Sequence, residues 1–191
     1  MTTQIHNSHK MHVNDIQFVP PTFNVDRRNP SEGKMTHFLS CSEDGSVNIW
    51  DTRNATQQIL QKTPDAVWNP YLQINLFRSD GSGEMGLTRL LFEPLQTTPT
   101  FFAASDEGDI VFVDWSIKPP VIQGVSAEEA AKNAEYIRDT YDTENNHRPV
   151  LGLERSPFYP ELIMTIHDFY FAIWNLEMED QKEPIFRSAN S

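Results

Sequence analysis

Alternating apolar and polar residues mark the strands of this chain, most clearly between residues 39 and 51. The segment 39–42 leads into Asp44-Gly45, and the segment 46–51 then alternates as Ser-Val-Asn-Ile-Trp-Asp. Asp-Gly between alternating strands is a strong hairpin signal, because the turn requires a positive φ that glycine adopts without steric cost. The pattern predicts a β-hairpin whose second strand ends in Trp-Asp.

The same hairpin recurs in altered form at residues 100–115 and 161–174. Each copy follows an apolar strand that stops at a proline, which ends a strand because it cannot donate to a central ladder. These leading strands are residues 13–18, 87–92 and 150–153. Further outer strands are expected at about 71–78 and from residue 183 to 187. The repetition predicts three sheets in series.

The connections between the repeats are long. Trp50, Trp115 and Trp174 close the three hairpins and are 65 and 59 residues apart, whereas comparable repeats span about 40–45 residues. The largest surplus is the segment 116–148. Within it, residues 126–138 are predicted to form a helix, because Ser126 can cap the first turn and two glutamates follow it.

One stripe of this predicted helix carries apolar side chains at helical spacing. Because the stripe is thin and half alanine, we expect the helix to lie against another surface, so its members are candidate contacts to a partner protein. They are Ala130, Ala134, Ile137 and Tyr141.

Composition and charge narrow the classes of partner that the chain could bind. The chain has 15 Lys and Arg against 27 Asp and Glu, a net charge of −12, without a basic cluster. Nucleic acid, acidic lipid and the acidic microtubule surface would repel such a chain. One cysteine cannot form an internal disulfide, no signal sequence opens the chain, and no apolar run approaches about 18 residues. We expect a cytoplasmic protein without a membrane segment.

Catalytic and metal-binding motifs do not emerge from the sequence. His6, His9 and His12 would share a face only on a helix, but the segment that follows them has a strand pattern. The glycines of the segment 81–86 lack the Gly-Lys-Ser/Thr of a phosphate loop, and Gly-x-Ser-x-Gly is absent. Cys41 lies in an apolar strand and is expected to be inert. The sequence predicts no enzyme activity, cofactor or metal.

The Trp-Asp ending of the first hairpin resembles the inner half of a WD-repeat propeller blade. In that family a buried network links a leading histidine, a strand hydroxyl, the turn aspartate and the tryptophan. The resemblance implies such a network in the first repeat. Its members would be His9, Ser40 or Ser42, Asp44 and Trp50.

The other two repeats depart from this pattern. In the second, Glu107 and Val113 fall at the positions of the turn aspartate and the tryptophan, and Trp115 comes two residues late. In the third, Asp168 and Trp174 align, but Phe169 replaces the turn glycine and no leading Gly-His is present. The network is therefore expected to be incomplete in both.

The resemblance implies an all-β chain, a WD-repeat β-propeller segment of about three four-stranded blades with long insertions and one short helix. The expected boundaries are 9–62 for blade one, 71–115 for blade two, 116–148 for a helical insertion and 149–187 for blade three. Closed propellers have four to eight blades. We therefore expect either a fragment of a longer chain or a ring that another segment completes.

Two stretches resemble one family of WD-repeat proteins, the dynein intermediate chains. Residues 105–115, Ser-Asp-Glu-Gly-Asp-Ile-Val-Phe-Val-Asp-Trp, are similar to one of their blades, and residues 147–174 are similar to the next. The order of the blades and the long insertion are most like the axonemal inner-arm members, especially those of the two-headed arm (dynein f). The likeness covers about residues 36–175.

This resemblance implies a non-catalytic scaffold in the axoneme of a cilium or flagellum. Its partners would be a dynein heavy-chain tail, a second intermediate chain and other axonemal dynein subunits, with microtubules contacted only indirectly. The alternative is another WD-repeat adaptor, such as a ciliary transport protein or a ubiquitin-ligase receptor. An enzyme would require a convergent polar pocket, for which the sequence gives no sign.

Overall fold

The computed structural model describes residues 4–5, 7–25, 33–53, 67–78, 80–93, 95–116, 136–141, 148–178 and 182–188. Within these ranges the chain forms fourteen β-strands. They are β1 (Gln4–Ile5), β2 (Val13–Phe18), β3 (His37–Ser42), β4 (Ser46–Asp51), β5 (Val67–Trp68), β6 (Leu72–Asn75), β7 (Leu87–Leu91), β8 (Thr100–Ser105), β9 (Ile110–Asp114), β10 (Ile137–Tyr141), β11 (Gly152–Arg155), β12 (Leu162–Ile166), β13 (Phe171–Asn175) and β14 (Phe186–Arg187).

Twelve of these strands form three four-stranded antiparallel sheets. Blade one has the order β2-β3-β4-β6, blade two β7-β8-β9-β10 and blade three β11-β12-β13-β14, and β1 pairs with β5 in parallel beside them. Within each sheet the strands follow one another in sequence order, which is the meander of a propeller blade. The predicted all-β fold of three four-stranded blades is confirmed.

The predicted Asp-Gly turn joins β3 to β4. Gly45 has a φ of 74°, a left-handed conformation that favours glycine. A Cβ atom at this position would lie 2.9 Å from the Cβ of Glu84, so the turn also lies too close to the next connection for any side chain. The backbone N–H of Leu76 donates to the Gly45 carbonyl at 2.9 Å. This glycine thus serves both the hairpin and its packing.

The boundary between blades one and two differs from the expected one. The predicted outer strand at 71–78 is β6, and it pairs with β4 through Leu72 opposite Ile49 and Ile74 opposite Val47. Blade one therefore extends to Asn75 instead of residue 62, and blade two begins at β7. The alternation of Leu72 and Ile74 explains the pairing, because both side chains join the apolar face of blade one.

The predicted helix over residues 126–138 is wrong at its end, since Ile137 begins strand β10 and residues 126–135 lie outside the described part of the chain. This strand pairs with β9 as the outer strand of blade two, so the segment 116–148 is partly blade. Isoleucine, threonine and tyrosine favour strands, and Tyr141 is buried with its ring 6.5 Å from that of Trp174.

The helical stripe proposed as a partner contact is therefore corrected. Ile137 and Tyr141 lie on a strand, where Tyr141 packs inside the protein and cannot meet a partner. Ala130 and Ala134 fall outside the described residues. Spacing of three and four residues indicated a helix, but the pairing with β9 decides the conformation of the last two members.

The blades are held together through their faces. We call the face of a blade toward the preceding blade its front face and the opposite one its rear face. One buried cluster joins the rear of blade one, with Leu39 and Ile49, to the front of blade two, with Leu90. A second joins the rear of blade two, with Phe102, to the front of blade three, with Trp174. Each fully buried side chain of this size contributes roughly 1.5–3 kcal/mol.

Polar contacts fix the register of neighbouring blades at their inner strands. The Asn14 side-chain amide donates to the Leu87 carbonyl at 2.8 Å, and the Asp15 carboxylate accepts from the backbone N–H of Leu90 at 2.9 Å. Between blades two and three, the N–H of Val150 donates to the Ser105 carbonyl at 3.1 Å. In the part of the chain that the structure describes, no helix has the length and apolarity needed to cross a membrane.

Candidate functional site

A chain of hydrogen bonds runs through the hairpin of blade one. The Trp50 indole N–H donates to Ser40 Oγ at 2.8 Å, and Ser40 Oγ lies 2.6 Å from Nε2 of His9. The other ring nitrogen, Nδ1, lies 2.8 Å from Ser46 Oγ, which donates to Oδ1 of Asp44 at 2.5 Å. Because an indole can only donate and a carboxylate can only accept, every proton in this chain points from Trp50 toward Asp44.

Ser40 and Ser42 were the two candidates for the hydroxyl of this network, and the structure places Ser40 in it. Ser42 Oγ instead accepts the backbone N–H of Asp44 at 3.2 Å within the turn. The other carboxylate oxygen of Asp44 accepts the backbone N–H of Lys10 at 2.5 Å. Ser46 was not predicted, although its position two residues after the turn aspartate is a usable signal. The network ties the segment before β2 to the hairpin.

The protonation states fit this geometry. Burial lowers the pKa of His9 below its ordinary value of 6.5, and the nearby Asp44 carboxylate only partly offsets that effect. Burial acts to raise the pKa of Asp44, but hydrogen bonds from Ser46 and from the backbone of Lys10 hold it below 3.8. A neutral imidazole therefore faces an ionised carboxylate at neutral pH, as the direction of the hydrogen bonds requires.

Blade three contains an equivalent network with a different histidine. The Trp174 indole N–H donates to Thr165 Oγ1 at 3.0 Å, and Thr165 Oγ1 lies 3.1 Å from Nε2 of His167. The Nδ1 atom of His167 lies 3.1 Å from the Arg148 carbonyl oxygen. Thr165 sits two residues beyond the partner of Trp174 in the ladder, as Ser40 does relative to Trp50. The histidine comes from the end of β12 instead of the leading segment.

Sequence reasoning paired Asp168 with Trp174 in this blade, and the structure does not bring them together. Asp168 is exposed and lies 3.5 Å from the Arg148 guanidinium. The missed members are Thr165 and His167, which the spacing Thr-x-His before the turn could have indicated. The His167 ring stacks on Tyr170 at 4.2 Å, and burial lowers the pKa of His167 below 6.5.

Blade two has apolar residues at the ladder positions that carry the network in blade one. In the ladder, Ala103 and Val113 occupy the positions that Ser40 and Trp50 hold in blade one, and both are fully buried. The Trp115 ring, two residues further on, lies 6.0 Å from Phe101. The tryptophan of this repeat therefore serves as an apolar side chain at the end of the hairpin.

The described residues offer little reactive chemistry. No group of three or more His, Cys, Asp or Glu side chains among them has the arrangement of a metal site. His9 is engaged in its network, His12 lies 3.2 Å from Glu43, and His6 falls outside the described residues. Burial raises the pKa of Cys41 to about 12, which keeps this thiol protonated.

No protein-family model matches the chain. It is 30% identical over 149 residues to dynein axonemal intermediate chain 2 of Mus musculus, an alignment that covers 78% of this chain and 19% of the relative. It is 23% identical over 231 residues to dynein axonemal intermediate chain 3 of Danio rerio, and that alignment covers 89% of this chain and 23% of the relative. It is 26% identical over 146 residues to dynein intermediate chain 3, ciliary, of Heliocidaris crassispina, and that alignment covers 76% of this chain and 20% of the relative.

The chain thus spans about a fifth to a quarter of the length of these relatives. The likeness nevertheless extends over three quarters or more of the chain itself. Fold and sequence agree, since an all-β meander in four-stranded sheets is what the resemblance implied. The chain is a homologue of the axonemal dynein intermediate chains.

Proposed function

We propose that this chain is a non-catalytic scaffold part of an axonemal dynein subunit and acts in the axoneme of a cilium or flagellum. The observation that carries the proposal is the likeness of most of the chain to proteins named as axonemal or ciliary dynein intermediate chains. The partners would be a dynein heavy-chain tail, a second intermediate chain and other axonemal dynein subunits.

The contacts of the buried histidines support a scaffold role for the chain. The side chain of His9 is only 2% exposed and is engaged by two serine hydroxyls. His167 is held in the same way by a hydroxyl and a backbone carbonyl. A general base must reach the proton that it abstracts. These imidazoles hold hairpins together and lie away from any substrate that could approach from solvent.

An exposed aromatic pair supplies a surface for a partner. Phe158 and Tyr159 lie in the turn between β11 and β12, and they are 84% and 60% exposed. The turn is fixed in place, because both backbone N–H groups donate to Ser156 Oγ at 3.3 and 3.1 Å. Aromatic side chains are enriched at the energetic centres of protein interfaces. We propose that this pair contacts another dynein subunit.

The test is recovery of partners from a ciliary extract by the tagged chain. The wild-type chain should recover axonemal dynein heavy chains, and the double variant Phe158→Ser/Tyr159→Ser should recover about tenfold less, since an aromatic anchor contributes on the order of 2 kcal/mol. Leu95→Ser is the matched control, because Leu95 is 78% exposed in the corresponding turn of blade two. It should leave recovery unchanged.

A folded wild-type chain that recovers no heavy chain would contradict the proposal. Recovery of ubiquitin-ligase or ciliary transport subunits in place of heavy chains would favour a different WD-repeat adaptor. Equal loss in the double variant and in Leu95→Ser would show that apolar turns act without specificity. In each case circular dichroism checks that the variant retains its strands.

A further inference from the structure

A polar side chain lies inside blade one at a position that is apolar in the other two blades. Asn48, on β4, is opposite Ser40 in the ladder. The equivalent positions hold Val111 in blade two and Ala172 in blade three. The side chains of Asn48, Val111 and Ala172 are all fully buried. The fold therefore accepts an apolar residue at this position, and the asparagine of blade one needs a reason of its own.

The amide of Asn48 lacks a protein partner. Neither its Oδ1 nor its Nδ2 atom has a hydrogen bond among the described residues, and both atoms are shielded from solvent. The indole N–H of Trp68, on β5, is also buried and has no partner among those residues. Burying such groups without hydrogen bonds is costly, and almost all buried polar groups in folded proteins are bonded to protein or to ordered water.

The two unpaired groups belong to the same part of the front face. The centre of the Trp68 ring lies 5.1 Å from that of Trp50. Trp50 follows Asn48 by two positions on β4, so their side chains point to the same face. On the other side of Asn48, the ring of His9 is hydrogen-bonded to serine hydroxyls of β3 and β4. Asn48 thus lies between an imidazole and an indole.

The segments that carry these two rings are joined to each other. Strand β1 pairs with β5 through Ile5 opposite Trp68. Two residues after Ile5, the side-chain amide of Asn7 donates to Oδ1 of Asn69 at 3.3 Å. His9 then binds the same leading segment to the hairpin. The leading segment and β5 together form a cover over the front of β4, which agrees with the complete burial of the amide beneath it.

We propose that the covered space between Asn48 and Trp68 is a binding site for ordered water. The amide and the indole offer one carbonyl oxygen and three N–H hydrogens. A hard cation takes about six oxygen ligands, and an anion would leave the carbonyl oxygen without a donor. Water donates and accepts, and buried waters occur about once per 27 residues in globular proteins. The proposal goes beyond the proposed function and does not rest on it.

The water joins the hairpin of blade one to the segment that covers it. It accepts the indole N–H of Trp68 and bonds to the amide of Asn48, so β5 gains a polar contact with β4 beside the ring contact with Trp50. A bond through water is nearly as favourable as a direct one. Val111 and Ala172 have no polar side-chain group at this position, so the site is specific to blade one within the described chain.

A crystal structure that resolves ordered solvent should show water within hydrogen-bonding distance of the Asn48 amide and of Trp68 Nε1. In solution, oxygen-17 relaxation dispersion of water counts long-lived buried molecules. The count should be lower by at least one in Asn48→Val, which introduces the residue type of blade two. Asn14→Val is the matched control, because the Asn14 amide already donates to the Leu87 carbonyl at 2.8 Å. It should leave the count unchanged.

A well-ordered Asn48 side chain in the wild-type crystal with no water against it would overturn the proposal, and so would equal water counts in wild type and a folded Asn48→Val chain. Urea unfolding gives a further check. If Asn48→Val unfolds at a higher urea concentration than wild type, the native amide is unpaired and the proposal is wrong, because replacing an unpaired buried amide removes a penalty. None of these measurements involves Phe158 or Tyr159, so they are independent of the heavy-chain recovery experiment.

Discussion

Blades one and two place equivalent positions at the centres of their hairpins and fill them with opposite chemistry. In blade one the pair is Ser40 and Trp50, joined by a hydrogen bond of 2.8 Å. In blade two it is Ala103 and Val113, which are both apolar and fully buried. Buried polar groups cost desolvation that hydrogen bonds must offset, and well-packed apolar groups of similar volume often serve equally well. A blade of this fold can therefore form with buried apolar residues at these two positions and without the hydrogen-bond network.

The networks of blades one and three each bind the segment that leads into the blade. In blade one the network binds the leading segment through His9 and the backbone of Lys10. In blade three it binds the carbonyl of Arg148, just before β11. Each network therefore fastens a leading segment to the hairpin of its own blade.

The largest effect should come from removing Trp50. Trp50→Ala should lower the free energy of unfolding by about 3–5 kcal/mol, because the change leaves a cavity and removes the donor to Ser40. Val113→Ala, at the equivalent position of blade two, should cost about 2 kcal/mol, since only two carbon atoms are lost. Urea unfolding at one protein concentration measures both. Equal losses would show that the network adds nothing to packing.

The network itself is tested by Ser40→Ala. The change leaves the Trp50 indole N–H and the Nε2 atom of His9 without their hydroxyl partner, and it should cost about 3 kcal/mol. Ser42→Ala is the control in the same strand, because that hydroxyl accepts the backbone N–H of Asp44 within the turn, and the change should cost about 1 kcal/mol. The assignment of Ser40 is contradicted if the two variants unfold at the same urea concentration.

A double-mutant cycle in blade three can replace its polar pair, Thr165 and Trp174, by apolar side chains like those of blade two. Thr165→Val leaves the Trp174 indole unpaired, and Trp174→Phe removes the donor. When both partners are apolar no buried donor remains at this bond, so the double variant should lose about 1 kcal/mol less than the sum of the single losses. Strict additivity in urea unfolding would mean that the 3.0 Å contact carries no coupling energy.

The sequence predicted the parts of the fold that local chemistry determines. The turn at Gly45 follows from its need for positive φ, and the strands follow from alternation. Strand β10 was missed because the segment before it has a helical composition, while the pairing of Tyr141 with Ile110 is a contact between distant parts of the chain. Such a pairing leaves no periodic signal in a segment of five residues.

The network of blade three was missed for a related reason. Trp174 follows Thr165 by nine positions, whereas Trp50 follows Ser40 by ten, so the hairpin of blade three is one residue shorter in register and its turn aspartate is out of alignment. Asp168 then points to solvent, and His167 takes the place of a leading histidine. Which residue reaches a buried tryptophan depends on ladder register, and register cannot be obtained from the spacing of one motif alone.

The smallest expected effect is a dependence of the free energy of unfolding on pH, which arises from the buried histidines of blades one and three. Burial lowers the pKa values of His9 and His167 below 6.5, so above that pH both imidazoles are neutral in the folded and the unfolded chain. As the pH falls below 6.5, the unfolded chain takes up protons that the folded chain does not, and stability is lost. The lowered pKa of Asp44 adds a loss only below 3.8, which is outside this window.

Unfolding free energies measured by urea at about pH 7.5 and about pH 5.5 should therefore decrease toward acid. The decrease should become smaller in His9→Gln and in His167→Gln, because each removes one group that titrates differently in the two states. Val113→Ala, in the blade without a histidine, should shift both values equally and leave the difference unchanged. A chain that becomes more stable at the lower pH would contradict the assignment of neutral imidazoles, and with it the direction of both hydrogen-bond chains.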